Sequence, residues 1–181
     1  MAVRASVFIG VSVDGFLARA DGALDFLDAG GDEPHGYDEF FASVDALVIG
    51  RKTFETVLGF GGWVYGSKPV FVLTSRPLSP TPPEAVVERV AGTPAAILDT
   101  VGRRGLGHVY VDGASTIQQF LAAGLIQRLV VTRVPILIGT GIPLFGSLQK
   151  DLLLRHVATR TFAGGLVQTE YACHPSRIGT P

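Results

Sequence analysis

Three short segments place phosphate-friendly chemistry directly after apolar runs. Gly50-Arg51-Lys52-Thr53-Phe54-Glu55 follows Ala46-Leu47-Val48-Ile49. A strand that ends at glycine and turns at once into a helix leaves free N–H groups and the positive end of a helix dipole pointing outward. Arg51, Lys52 and the Thr53 hydroxyl add two charges and a donor at that point; the bland alternative is an ordinary solvated helix start. Thr74-Ser75-Arg76 follows the run Val70–Leu73, and a guanidinium binds phosphate oxygens bidentately. Asp112-Gly113-Ala114-Ser115-Thr116 follows His108–Val111. Its glycine and alanine let a backbone approach a ligand closely, just where the next helix begins. Jointly, the three strand ends point to a dinucleotide at the carboxyl edge of a sheet.

Other nucleotide and metal chemistries fit poorly. Gly139-Thr140-Gly141 has the first two glycines of a dinucleotide fingerprint, but no third, and Pro143 follows. Gly61 to Lys68 nearly spells a P-loop, yet Ser67 and Lys68 are in the wrong order and Pro69 precedes a strand, not a helix. His35 stands among Asp32, Glu33, Asp38 and Glu39, but with no metal-site spacing, so a solvated acidic loop is the reading and no metal is expected. Cys173 is the single cysteine and has no histidine partner in sequence, so it reads as structural. One cysteine also rules out an intrachain disulfide and fits a reducing compartment.

The elements that must position these groups alternate. Strand signals occupy Ala5–Val11, Ala46–Ile49, Val70–Leu73, His108–Val111, Arg128–Val134 and Leu166–Ala172. Leu152 to Phe162 alternates and reads as a half-exposed antiparallel strand. Helices are expected over Tyr37–Ser43, over Arg51–Val57, from Thr93-Pro94 towards Val101, and from a Ser115 cap to a stop at Gly124. Alternation predicts an α/β, mostly parallel sheet with an antiparallel C-terminal addition. The chain has 181 residues, which favours one domain over 1–173, with 174–181 as a small, polar, flexible tail. Apolar residues at 47% against 17% charged exclude intrinsic disorder. A net charge of −1 gives no global attraction to nucleic acid or anionic membrane. No apolar run is long enough to span a bilayer and the start lacks signal-peptide features, so a cytoplasmic protein is expected. Twelve arginines against three lysines, with no asparagine, fit a GC-rich bacterial genome.

Four segments, in order, carry a resemblance. They are Val11-Ser12-Val13-Asp14-Gly15-Phe16-Leu17-Ala18, Gly50-Arg51-Lys52-Thr53-Phe54-Glu55, Val111-Asp112-Gly113-Ala114-Ser115, and Pro135-Ile136-Leu137-Ile138-Gly139-Thr140-Gly141-Ile142-Pro143-Leu144-Phe145. Together they resemble the dihydrofolate reductase superfamily. The nearer branch contains the C-terminal reductase domain of the bifunctional riboflavin-biosynthesis deaminase–reductase and its stand-alone relatives. The resemblance spans residues 3 to 172. It implies a dihydrofolate-reductase-like three-layer sandwich with a central, mainly parallel sheet and NADPH bound along its edge. Arg51, Lys52 and Thr53, next to Gly50, would meet the adenosine-side phosphates. Thr74, Ser75 and Arg76 would flank the adenine ribose and its 2′-phosphate. Asp112, Gly113, Ala114, Ser115 and Thr116 would wrap the pyrophosphate, with Asp112–Gly113 matching a peptide that is cis in dihydrofolate reductases. Residues 10 to 18, with Val11, Gly15 and Leu17, would lie over the nicotinamide as a mobile loop.

Reducing a C=N bond needs a hydride and a proton. The resemblance puts one acid on the helix before the Gly-Arg-Lys-Thr strand. Asp38 and Glu39 are the candidates, with register open between them; their bland reading is a solvated first helical turn. Asp14 and Asp25 are rivals, although Asp14-Gly15 also reads as a plain turn. Phe26, Phe41, Trp63 and Thr132 are candidates for the substrate pocket, against the usual reading of aromatics as core. The expected function is an NADPH-dependent reductase of a pteridine- or pyrimidine-type heterocycle. Reduction of the ribosylamino-pyrimidine intermediate of riboflavin synthesis is an alternative, weakened by the lack of a visible second basic cluster for its phosphate. A non-catalytic nucleotide-binding module is the alternative from another class. The deaminase zinc signature is absent. A homodimer is expected, because Leu152-Leu153-Leu154 and Leu166-Val167 leave apolar strand material near the C-terminus and the relatives it resembles are dimeric.

Overall fold

The computed structural model describes residues 2–31 and 33–173. The strands are β1 (Arg4–Ser12), β2 (Phe16–Ala18), β3 (Ala46–Gly50), β4 (Val70–Leu73), β5 (Val87–Val90), β6 (His108–Asp112), β7 (Arg128–Val134), β8 (Ile142–Pro143), β9 (Leu154–Thr161) and β10 (Val167–Cys173). The helices are α1 (Tyr37–Ala42), α2 (Arg51–Leu58), α3 (Pro94–Arg103) and α4 (Ala114–Ala122), with a 3-10 helix over Asp25–Gly30. Eight strands form one sheet in the order β5-β4-β3-β6-β1-β7-β10-β9. Every pairing from β5 to β7 is parallel, and β10 and β9 are added antiparallel.

Strand alternation divides the core into two layers. Leu47, Ile49, Tyr110 and Val130 point to one face, which α1 and α2 cover with Phe40, Phe54 and Val57. Ala46, Val48, Val109 and Val131 point to the other, under Ile97 and Val101 of α3 and Ile117 and Phe120 of α4. This is the three-layer α/β sandwich that the resemblance implies, and the mostly parallel sheet expected from the alternation. Parallel strands force all their carboxyl ends to one edge of the sheet, so the ends of β1, β3, β4 and β6 lie side by side there.

Several local readings change. Ser115 does not cap α4: Gly113 stands at the N-cap and Ser115 lies inside the first turn. Thr93 does cap α3, accepting the Ala96 amide at 3.3 Å, with Pro94 behind it. The sequence reading missed β5, a short outer strand beyond the Pro-rich loop, and the pair β2–β8, which is two or three residues per strand. Residues 10–18 are not one loop: 10–12 finish β1, 16–18 form β2, and Gly15 at φ 86° makes the turn between them. The expected tail, 174–181, lies outside the described residues. No described helix is long and apolar enough to cross a membrane.

Candidate active site

Two strand-to-helix junctions interlock at the carboxyl edge. A Cβ on Gly50, at the end of β3, would stand 2.9 Å from Thr116 Oγ1 of α4. Reciprocally, a Cβ on Gly113, at the end of β6, would collide with Thr53 Oγ1 of α2. Each glycine therefore admits a threonine from the other helix, and the N-termini of α2 and α4 sit together. Gly113 also has φ 90° and ψ 134°, a conformation only glycine enters cheaply. Two dipole ends, their free N–H groups and the cations of Arg51 and Lys52 thus share one rim. Arg51 is restrained by Glu55 at 3.2 Å.

Below that rim opens a cavity of about 610 Å³, lined among others by Gly50, Arg51, Lys52, Thr53 and Asp112 through Thr116. Leu17 and Thr132 line it too, with Phe8, His35, Tyr37 and Tyr65 on the side towards α1. The residues present fit a dinucleotide: a close-approach glycine, paired helix N-termini and cations stand at one end, and an apolar-aromatic chamber at the other.

Asp112 is the acid of this chamber. Burial pushes its carboxyl up to about 6, partly opposed by the Gly113 amide, which donates to Oδ1 at 2.7 Å. Tyr37, Tyr65 and Tyr110 surround it. Burial, and then the nearby carboxylate of Asp112, raises all three phenols, that of Tyr37 to about 12. Tyr110 donates to the Phe8 carbonyl at 2.8 Å, tying β6 to β1 beneath the chamber. No described peptide bond is cis, so Asp112–Gly113 is trans, contrary to the expectation from resemblance.

The other expected acids lie elsewhere. Asp38 and Glu39 are exposed on α1 and outside the lining of this cavity. The reason is helical spacing: Tyr37, Phe40 and Phe41 occupy the inward i, i+3, i+4 positions and leave the two acids outward. That pattern was available in the sequence. Asp14 is a clasp, not a wall: its carboxylate accepts the amides of Ile138 at 3.3 Å and Gly139 at 2.8 Å. A hydrogen bond from Ser12, together with these amides, holds it below the usual carboxylate range. Asp25 is exposed and forked by Arg19 at 2.6 and 2.9 Å.

Among the expected pocket residues, Phe26 is buried outside the lining; Leu24, just before its 3-10 helix, and Leu27, within it, line the cavity instead. Phe41 stacks between Tyr37 and Tyr65, and Trp63 packs edge-on against Tyr65, so both support the wall from behind. The Val11 side chain faces the α3–α4 layer, one residue out of phase with Gly10 on the cavity. Thr74, Ser75 and Arg76 follow β4, beside the end of β3, but do not line the cavity. Thr74 Oγ1 there accepts the Arg76 amide at 3.1 Å. Cys173 is buried, which pushes its thiol up to about 11.

Comparison with known proteins shows the family and the fold. The family model described as RibD C-terminal domain matches residues 5–168. Bacillus subtilis YwjB is 32% identical over 167 residues, covering 91% of this chain and 95% of YwjB. A structure described as a riboflavin biosynthesis protein of Shewanella sp. PV-4 is 37% identical, with a TM-score of 0.88 over 96% of this chain and all of its own. More distant structures share the fold. The Thermotoga maritima deaminase/5-amino-6-(5-phosphoribosylamino)uracil reductase superposes at TM-score 0.68 and 15% identity, over 96% of this chain and 57% of its own. Enterococcus faecalis dihydrofolate reductase, complexed with NADP(H), does so at 0.64 and 16%, over 95% and 97%.

Proposed function

Because this chain belongs to the RibD C-terminal domain family, we propose that it is an NADPH-dependent reductase of a small pteridine- or pyrimidine-type heterocycle. The observation that carries this reading is the interlocked pair of helix N-termini over a chamber lined by one half-buried acid. When bound, NADPH would supply the hydride for the carbon of a C=N bond. This chain does the rest. Gly50 to Thr53 and Gly113 to Thr116 hold the phosphates. Thr74 to Arg76, at the neighbouring strand end, meet the 2′-phosphate. Phe8, Leu17 and Thr132 confine the ring and exclude water. Asp112 holds a proton for the ring nitrogen that hydride transfer leaves basic, and regains it from solvent. With its carboxyl near 6, about a tenth of Asp112 is protonated at neutral pH, enough for an acid that works near its operating pH. We assign this role to Asp112 in place of Asp38, Glu39 and Asp14, which the geometry supports less.

A pyrimidine of the kind named for the Thermotoga enzyme is one such substrate. A homodimer through the outer strand completes the reading, since Leu153 at 67% and Val157 at 45% exposure leave apolar surface on or beside β9. Leu166 and Leu152 do not contribute, being buried and packed on the core respectively. The test is cofactor and turnover together: purified protein is titrated with NADPH and NADH, then assayed for NADPH oxidation with pyrimidine and pteridine substrates. NADPH is expected to bind about tenfold or more tightly than NADH, as one charge-assisted phosphate contact requires. Equal affinity, or tight NADPH binding without oxidation across both substrate classes, refutes the reading, the latter in favour of a binding module.

A further inference from the structure

The aromatic end of the large cavity is lined by four hydroxyl side chains, Tyr37, Tyr65, Tyr110 and Thr132, and two of them are already committed. Tyr110 donates to the Phe8 carbonyl at 2.8 Å. Thr132 Oγ1 accepts from Gln168 Nε2 at 3.0 Å. The hydroxyls of Tyr37 and Tyr65 make no hydrogen bond among the described residues. Yet no buried side-chain oxygen among those residues is left without a partner. Both hydroxyls therefore reach solvent, and for Tyr65, only 4% exposed, the cavity that it lines is the way out.

The rings that carry them are fixed from behind. Phe41 stacks between the two, 5.7 Å from the Tyr37 ring and 6.3 Å from the Tyr65 ring. Lys68 Nζ stands 5.1 Å from the centre of the Phe41 ring and donates to the Val44 carbonyl at 2.6 Å, so Phe41 is itself held. Phe8 meets Tyr37 edge-on at 5.7 Å, and Trp63 meets Tyr65 edge-on at 5.3 Å. Trp63 in turn donates its Nε1–H to the Gly66 carbonyl at 3.0 Å. Aromatic contacts thus set where each hydroxyl points, and the Phe41 spacer keeps the two apart. Donors held in this way, with no protein acceptor for either, discriminate among ligands. A ring with acceptors replaces the water it displaces, whereas a ring without them leaves the hydroxyls unpaired. Burial, and then the Asp112 carboxylate, hold both phenols protonated, Tyr37 up to about 12 and Tyr65 well above its ordinary range. They therefore donate throughout the range around neutral pH and leave proton transfer to Asp112.

We propose that Tyr37 and Tyr65 are the specificity-determining residues of the chamber: each donates to one acceptor on the substrate ring, and together they set which ring edge faces Asp112. This rests on the reductase reading only for the kind of ring that the chamber receives. Because Phe41 separates them, the two hydroxyls serve two acceptors and not one.

Quinazoline-2,4-dione, quinazolin-4-one and quinazolin-2-one are the probes, one bicyclic frame carrying both ring oxygens or either one. Their affinities are measured by calorimetry for the wild-type protein, Tyr37→Phe, Tyr65→Phe and Tyr110→Phe, each with and without saturating NADP⁺. Melting temperatures are taken without ligand. The dione is expected to bind wild type about 5-fold more tightly than each mono-oxo ring, the size of one neutral hydrogen bond. Tyr37→Phe is expected to erase the preference over one mono-oxo ring and Tyr65→Phe over the other. Both should melt no lower than wild type, because neither loses a protein hydrogen bond. Tyr110→Phe strands the Phe8 carbonyl, so it is expected to melt lower and to keep both preferences. A wild type that does not favour the dione overturns the proposal. So does a preference that outlasts both variants or falls with Tyr110→Phe, and so do two variants that act on the same oxygen. A melting temperature that drops as far in Tyr37→Phe and Tyr65→Phe as in Tyr110→Phe overturns it as well, since it gives those hydroxyls a structural partner. Failure of NADP⁺ to bind wild type overturns the cofactor reading instead, and the titrations without it still decide the hydroxyls.

Discussion

Gly113→Ala tests the interlock directly, and Gly50→Ala is its internal control. At Gly113 the new methyl group meets two separate costs. The backbone, at φ 90° and ψ 134°, strains any residue with a side chain by about 1–3 kcal/mol. The methyl also collides with Thr53 Oγ1 while standing 3.4 Å from its Cβ, and overpacking of this kind costs about 1–3 kcal/mol more. The expected loss is therefore about 2–6 kcal/mol, a large share of the ~5–15 kcal/mol that holds a domain together. Gly50 has ordinary extended geometry, φ −78° and ψ 162°, and a Cβ contact of 2.9 Å with Thr116 Oγ1. It meets only the overpacking cost. Denaturant unfolding should thus rank wild type above Gly50→Ala and Gly50→Ala above Gly113→Ala. Adding Thr53→Gly to Gly113→Ala should recover the collision and leave the backbone strain, giving a coupling of about 1–3 kcal/mol in a double-mutant cycle. NADPH affinity, followed by fluorescence, should fall in step, because the same methyl groups separate the two helix N-termini. Equal stability of the two single variants, or a Gly113→Ala protein that melts and binds like wild type, would refute the interlock.

Asp112→Asn should lower turnover about 100-fold and remove the limb of the kcat/KM profile that falls as pH rises through about 6; an unchanged profile assigns the proton elsewhere. The sign for stability follows from the same carboxyl. Its folded value of about 6 lies above the ordinary 3.8, so the folded state binds the extra proton in between and stability falls as pH rises through that window. The Asn variant should therefore gain in melting temperature over wild type at about pH 8 relative to about pH 3, and a pH-independent difference would contradict the burial argument. Asp14→Ala should speed hydrogen exchange at the Ile138 and Gly139 amides while turnover is largely kept, whereas a collapse of turnover with unchanged exchange would return Asp14 to catalysis. Light scattering at micromolar concentration should give twice the chain mass, and Val157→Glu should halve it; a monomer in the wild type removes the dimer and leaves Leu153 and Val157 as exposed apolar surface.

What the sequence determined by itself is whatever depends on near neighbours along the chain. Ala46 to Ile49 reads as a buried strand because four apolar residues end at a glycine, and the helix behind Gly50 is announced by the residues that follow it. The same holds for α3, whose cap and proline are adjacent; Leu152 to Phe162 reads as a half-exposed strand, but β9 is exposed along nearly its whole length because it stands at the sheet edge. The orientation of Asp38 and Glu39 was legible too, from the aromatic spacing of Tyr37, Phe40 and Phe41. Only the tertiary structure decided which acid lines the chamber. Asp112 looks like one more strand-end residue until β6 is placed between β1 and β3 and Tyr37 and Tyr65 close over it; desolvation is set by what packs nearby, not by sequence neighbours. Thr53 meets Gly113, and Gln168 stands opposite Thr132, for the same reason. Register across strands brings together residues far apart in the chain, and no local pattern of hydrophobicity or propensity encodes which partner a strand will take.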